Sequence, residues 1–369
     1  MSAVAEDVAK IKSGQKTNAK EQLARLSKAS GRSPLWMVLD HLRLRRGRGK
    51  LQLYEYFLYG LHDKDRWSED ERNRFLSAHI HWPIAKKCND ETWWAVTEDK
   101  GLSSIYLAHH GFPVPENVAA YDRGPRLYSG LPKLSSIADL KEFLSQFSRF
   151  PIFAKPTNGI WSAGAFRISG CSETHVNIDG RDPVSFEQLF DEVLGDTAYL
   201  MQICLEPHSF FDGITESIAT VRSLNIITED GLYVPNTILK LPRGENVADN
   251  FWRPGNLLCN LDSETGEICS IVDNVDGIRV ELDKLPDSER ALVGEYLPDW
   301  ANLRKLNERV ALAHGANRFG STDIALTKRG PVVVEVNNGC AFELVQMATG
   351  QGFLTDPMLE FFREKGLFQ

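Results

Sequence analysis

Two runs near the C-terminal end constrain this chain most: Thr322-Asp-Ile-Ala-Leu326 and Pro331-Val-Val-Val-Glu-Val-Asn-Asn-Gly-Cys340. Each reads as a short buried strand that carries metal-seeking oxygens, Asp323 on the first and Glu335 and Asn337 on the second. Side chains alternate along a strand, so Glu335 and Asn337 share one face while Val334 and Val336 take the other. Asn338-Gly339 is a turn that ends the second strand. Two carboxylates and an amide oxygen on neighbouring strands suit Mg2+, a hard cation that prefers oxygen and shares its shell with phosphates. The competing reading is an ordinary hairpin with polar residues on its wet face.

Composition bounds the rest. The chain has 369 residues, 42% hydrophobic and 25% charged, the balance of a soluble globular protein with room for two or three packed subdomains. A net charge of -8 argues against a general nucleic-acid binder. The six cysteines, Cys88, Cys171, Cys204, Cys259, Cys269 and Cys340, are scattered without a CxxC pair. That excludes a disulfide framework or zinc site as the organising principle and fits a reducing, cytoplasmic setting. No stretch reads as a signal peptide or membrane span, so no membrane insertion is expected.

Along the chain, residues 1 to about 32 read as a frayed helix or a disordered arm. Pro34–Leu42 is apolar at helical spacing and leads into the basic run Arg43-Leu-Arg-Arg-Gly-Arg-Gly-Lys50. That run is either an anion-binding patch or, the preferred reading, a solvated helix end. Residues 51–110 look helical, with Tyr54, Phe57, Leu58 and Leu61 on one face and an N-cap at Ser68. Ser135–Leu144 reads as another capped helix, and Leu303–Phe319 as one long helix entering the Asp323 strand. From about residue 151 short strands dominate: 151–155, 165–168, 199–205, 220–228 and 232–240, with a hairpin turn at Glu229-Asp-Gly231.

Lys155 ends one of these strands and precedes the loop Pro-Thr-Asn-Gly-Ile-Trp-Ser-Ala-Gly-Ala165. A glycine loop lets backbone N–H groups approach phosphate oxygens, and the lysine adds a point charge. The order Gly-Lys-[Ser/Thr] of a Walker loop is missing. The strand 202–205 can present its backbone to an adenine edge, or can simply be core.

Taken in order, Asp99-Lys100, Phe153-Ala-Lys-Pro156, Thr220-Val-Arg222, Asp249-Asn-Phe-Trp-Arg-Pro-Gly255, Asp323-Ile-Ala-Leu326 and Glu335-Val-Asn337 resemble the ATP-grasp superfamily. More narrowly, they resemble the sugar-transfer-associated ATP-grasp proteins, related to alpha-L-glutamate ligases. The resemblance covers roughly residues 50–360. It implies an α+β fold in which two α+β subdomains grip ATP between antiparallel sheets, behind a mostly helical N-terminal region. The division it suggests is 1–98 for that helical region, 99–205 for the N-terminal part with the nucleotide-clamping subdomain, and 206–369 for the catalytic subdomain.

The resemblance also implies roles. Lys100 and Lys155 contact the ATP phosphates, and Gly159, Ser162 and Gly164 belong to the covering loop. Gln202, Ile203, Cys204 and Leu205 line the adenine pocket, with Glu206 at the ribose. Arg222 and Lys240 are catalytic cations facing the γ-phosphate or the acyl-phosphate; apart from the resemblance, the polar loop 243–253 is read as lying near the acceptor site, with Arg253 as a third catalytic cation clamping a substrate carboxylate. Asp323, Glu335 and Asn337 hold Mg2+. In such enzymes a carboxylate attacks the γ-phosphate and the acyl-phosphate is captured by an amine, so no protein nucleophile is needed.

The departures are bulky Ile160 and Trp161 in the glycine loop and the polar loop Arg243–Arg253. The surplus of cations at Arg222, Lys240, Arg243 and Arg253 suggests a substrate carboxylate, unless Arg243 and Arg253 pair with Glu245 and Asp249. The expected activity is a cytoplasmic ATP- and Mg2+-dependent carboxylate–amine ligase on small-molecule acids and amines of natural-product or glycan origin. The alternatives are a phosphotransferase on the same fold, or a catalytically silent nucleotide-binding accessory protein in polysaccharide assembly. Whether the chain forms a homodimer stays open.

Overall fold

The computed structural model describes residues 2–15, 19–159, 162–286, 288 and 290–368. Ile160 and Trp161 therefore lie outside the described residues. Two sheets organise what is described. The first contains β1 (Asn117–Tyr121), β2 (Lys133–Leu134), β3 (Ile152–Pro156), β4 (Phe166–Cys171), β5 (His175–Ile178), β6 (Val184–Ser185) and β7 (Tyr199–Ile203), in the order β2-β1-β7-β3-β4-β5-β6. Among the described residues only β1 and β2 pair in parallel. The helix Ile137–Gln146, capped by Ser136 and Asp139 in a reciprocal box, packs Leu140 and Leu144 into the core of this sheet.

The second sheet contains β8 (Thr220–Thr228), β9 (Gly231–Tyr233), β10 (Thr237–Leu241), β11 (Leu257–Leu261), β12 (Ile268–Val275), β13 (Ile278–Leu282), β14 (Phe319–Thr327) and β15 (Gly330–Asn338). Its antiparallel order is β13-β12-β11-β10-β8-β14-β15, with β9 added to β8. Alternation sends Leu239, Cys259 and Ile271 to one face, against the helix Trp300–Ala313. Ile238, Leu258 and Val272 go to the other, against the helix Phe342–Thr349 and the N-terminal helical region with Met37, Tyr56 and Phe57. Gln346 fixes that region in place: its amide oxygen accepts from the Leu76 N–H (2.7 Å) and its amide nitrogen donates to the Leu76 carbonyl (2.9 Å).

The fold is therefore α+β with a helical N-terminal region, as expected. Four local expectations change. Residues 3–15 and 19–30 are helices, and Ala3, Asp7, Gln22 and Leu26 are buried, so this arm is docked rather than frayed. Tyr54 is 47% exposed, away from buried Phe57, Leu58 and Leu61. The long helix ends at Ala313, ahead of His314-Gly-Ala-Asn317, so Phe319 opens β14 instead. In β15 the register skips Val334: Asp323 faces Glu335, but Ile324 faces Val333. This bulge places Val333 with Val336 in the core and leaves Val334 half-buried.

The first half of the basic run, Arg43–Arg46, proves to be the last turn of the helix Pro34–Arg46, with Arg43 paired to Glu69 at 3.1 Å, and Arg48 and Lys50 follow that helix. Among the described residues no helix is long and apolar enough to cross a membrane.

Candidate active site

Sheet register builds the centre of the site. Glu335 on β15 faces Asp323 on β14, which faces Arg222 on β8, which faces Ile238 on β10. Cross-strand partners share a face, and Lys240 lies two residues from Ile238, so these four charged side chains line one face of the sheet. Arg222 grips Asp323 with both ends of its fork, Nε to Oδ1 and Nη2 to Oδ2, each at 2.6 Å. Lys240 donates to Asp323 Oδ2 (3.0 Å) and pairs with Asp249 Oδ2 (2.9 Å), and Asp249 also accepts from the Thr220 hydroxyl. Burial alone would raise the Asp323 carboxyl, but Arg222 and then Lys240 hold it far below the usual carboxylate range.

A second cluster adjoins it. Asp99 caps the helix Lys100–His109 by accepting from the Leu102 N–H (2.9 Å) and is itself clamped by Arg126. Lys100 opens that helix. Its ammonium lies 3.0 Å from Glu335 Oε1 and donates to the Gly159 carbonyl (3.1 Å). Lys155, at the end of β3, is 8% exposed. Among the described residues its ammonium has no hydrogen-bond partner, and burial, aided by the charge of Lys100, pushes it down to about 8. Burial would raise the Glu335 carboxyl, yet Lys100 and Lys155 keep it below its ordinary value. Lys100, Lys155, Gln202, Val334 and Glu335 line one narrow cleft between the two sheets, floored by Leu107 and Val333.

Not every expected residue converges there. Gln202 hydrogen-bonds Asn117 (2.7 Å) at the cleft wall. Further along, the Ile203 N–H is spent on Glu116 and the Cys204 N–H on Pro151, Leu205 is half-buried, and exposed Glu206 pairs with Lys328 at 3.0 Å. Arg253 stands apart, with the glycine loop: its Nη2 donates to the Asp7 carboxylate (2.8 Å) and to the Ser162 carbonyl (3.3 Å). Arg222, Lys240 and Arg253 are thus each met by a carboxylate of this chain. Lys240 is matched by Asp249 and Asp323, Arg253 by Asp7, and Arg243 donates to the Ile214 carbonyl (3.3 Å). The argument for a substrate carboxylate from unpaired cations falls away.

As a metal site, the donor set fits in part. Glu335 has one close cation, on one of its two oxygens, while the Asn337 amide nitrogen, buried without a partner among the described residues, is a hydrogen-bond donor and not a metal ligand. Asp323 has both oxygens engaged by Arg222 and Lys240. No group of three or more His, Cys, Asp or Glu that could hold a metal occurs among the described residues.

Sequence reasoning missed two groups here and assigned a third, Asp249, to Arg243 or Arg253. Asp249 is the second counter-ion of Lys240. Glu343, on the helix that follows β15, is pushed up to about 7 by burial and by Glu55, with Arg222 opposing. His81 packs so tightly on Gly339 (φ +84°) that a Cβ there would stand 2.5 Å from its Nε2. Nothing local in the sequence marks the last two.

A family model described as sugar-transfer associated ATP-grasp matches residues 83–359. The chain belongs to this family. Searching the curated proteins gives no match. Among solved structures the ATP-grasp chain is similar to VanG D-Ala:D-Ser ligase from Enterococcus faecalis, at 14% identity over 75% of this chain and 64% of that one, with a TM-score of 0.43. It is similar to D-alanyl-alanine synthetase A from Vibrio cholerae at 15% identity, over 72% and 60%, TM-score 0.39. It is also similar to D-alanine-D-alanine ligase from Helicobacter pylori at 12% identity, over 73% and 61%, TM-score 0.40. The chain spans less than two thirds of each of these proteins.

Proposed function

We propose that this chain is an ATP- and Mg2+-dependent carboxylate–amine ligase that makes an amide through an acyl-phosphate. The observation that carries the nucleotide part is Lys155, a residue 8% exposed whose ammonium lacks a hydrogen-bond partner among the described residues, in a cleft beside Lys100 and Glu335. A buried cation without a partner is costly unless an anion completes it, and a polyphosphate is the anion that ATP-grasp membership supports.

In this reading Lys100 leaves Gly159 for the phosphates, Gln202–Leu205 border the adenine and Glu206 meets the ribose. Glu335 and Asn337 would hold Mg2+, which neutralises charge on the transferring phosphoryl group when bound. Asp323 anchors Arg222 and Lys240 at the place where that charge develops. Amide formation rather than simple phosphorylation is taken from the usual chemistry of the superfamily.

The decisive experiment supplies ATP, Mg2+ and pools of acids and amines. ADP and phosphate should appear when acid and amine are both present, and hydroxylamine should divert the acyl-phosphate to a hydroxamate. A stable phosphorylated product with no hydroxamate and no need for amine would make the enzyme a phosphotransferase.

Arg222 gives a graded test. Arg222→Lys keeps a charge but not the fork, and should lower turnover by roughly 10- to 100-fold. Arg222→Ala also leaves Asp323 with a single counter-ion, and should cost about 3 to 5 kcal/mol of stability. Turnover and denaturant midpoints together separate the two effects. An Arg222→Ala protein as stable as the wild type would contradict the network.

A further inference from the structure

The helix Ala3–Gln15 lies outside the residues matched by the family, 83–359, yet it reaches the glycine loop. Asp7 is 8% exposed, and its Oδ2 accepts from the Gly164 N–H (2.9 Å) and from Arg253 Nη2 (2.8 Å). The same Arg253 nitrogen donates to the Ser162 carbonyl at 3.3 Å. One carboxylate thus joins three segments: the N-terminal helix, the loop after Lys155 and the loop 243–255. Val4 belongs to the seat as well. Gly164 has φ +80°, and a Cβ on it would lie 2.4 Å from the Val4 side chain, so only glycine lets the helix come this close. Glu6 pairs with Arg181 at 3.0 Å and Ala3 is buried in the core of the first sheet, which fixes the helix to the subdomain that carries the loop. At its other end the loop is held by Lys100 through the Gly159 carbonyl. The described residues on either side of 160–161 are therefore each tied, Gly159 from inside the cleft and Ser162 and Gly164 through the helix and Arg253.

We propose that Asp7 is a positioning residue for the nucleotide lid: it fastens the glycine loop to the Arg253 loop and so sets how tightly bound phosphates are covered. The proposal rests on the reading of the cleft as an ATP site. It also gives Arg253 a partner that is a carboxylate of this chain, which leaves the residue engaged before any substrate arrives.

The test compares full-length wild type with Asp7→Ala, Asp7→Asn and Asp7→Glu by two measurements. Hydrogen exchange of the peptide spanning 162–165 reads the fastening without nucleotide. The release rate of a fluorescent ATP analogue reads its consequence. Losing one charge-assisted contact and one backbone contact should speed both by about 10-fold or more in Asp7→Ala. Asp7→Asn, which keeps an acceptor for Gly164 but no charge for Arg253, should fall between, and Asp7→Glu should restore most of the protection. Val4→Asp, which unseats the helix with Asp7 retained, should loosen the loop in the same way.

Loop exchange in Asp7→Ala at the wild-type rate would overturn the fastening. So would full protection in Val4→Asp. A faster-exchanging loop with unchanged release of the analogue would overturn the lid role. A wild-type chain that binds no ATP analogue, while Asp7→Ala still speeds exchange, would remove the nucleotide reading and leave only the contact.

Discussion

Replacing Lys155 with Met is expected to lower ATP turnover by about 100-fold or more and, at the same time, to make the protein more stable. The two effects have one cause. Among the described residues the buried ammonium has no hydrogen-bond partner, and its pKa falls from the ordinary 10.5 to about 8 because burial disfavours the charge and Lys100 repels it. That gap corresponds to a penalty of about 3 kcal/mol for keeping the charge at neutral pH. Methionine has similar length and no charge, so it removes the penalty together with the function.

The pH dependence follows with a definite sign. Between about 8 and 10.5 the unfolded chain binds a proton at Lys155 that the folded chain does not. Stability from this group therefore rises with pH across that window and is flat below it. Bound phosphates would reverse the cause of the shift by supplying opposite charge. ATP binding near pH 8 to 9 should then take up a proton, seen by calorimetry in two buffers of different ionisation enthalpy. Lys155→Met should abolish the uptake. Turnover at the wild-type rate in Lys155→Met would reject the placement of the phosphates.

The strand content of this site was legible and its closure was not. The β-branched runs marked β14 and β15, and Lys155 at the end of an apolar strand, because side-chain alternation and strand length are local properties. The skip at Val334 was illegible: a bulge depends on how the partner strand is matched. The pairing of charges was illegible too. Asp7 and Gly164 are 157 residues apart, and Asp7 and Arg253 are 246 apart, so no periodicity connects them. Counting cations along one stretch overstated the free positive charge, since Asp7 and Asp323, the partners of Arg253 and Lys240, lie far from that stretch.

Glu335→Gln is the second large effect, and it should separate chemistry from folding. Glu335 is 3.0 Å from Lys100 and its side chain is 27% exposed, so it sits at the cleft rather than deep in the core. Glutamine keeps the shape, and Lys100 retains the Gly159 carbonyl as an acceptor. The fold should therefore lose little, within about 1 kcal/mol for a partly exposed pair. Mg2+-dependent turnover should fall to less than about one-hundredth, because the proposed metal site then loses its anionic oxygen. Binding of an ATP analogue without Mg2+ should change only a few-fold, since the proposed adenine segment starts on β7 of the other sheet. Asp323→Asn should behave in the opposite order. It removes the carboxylate paired with Arg222 in a buried setting, so the melting temperature should drop before any metal response is measured. Titrating Mg2+ against turnover in both variants, alongside thermal melts, distinguishes a cleft ligand from a buried anchor. A stable Glu335→Gln enzyme with wild-type turnover and an unchanged Mg2+ response would take Glu335 out of the metal site.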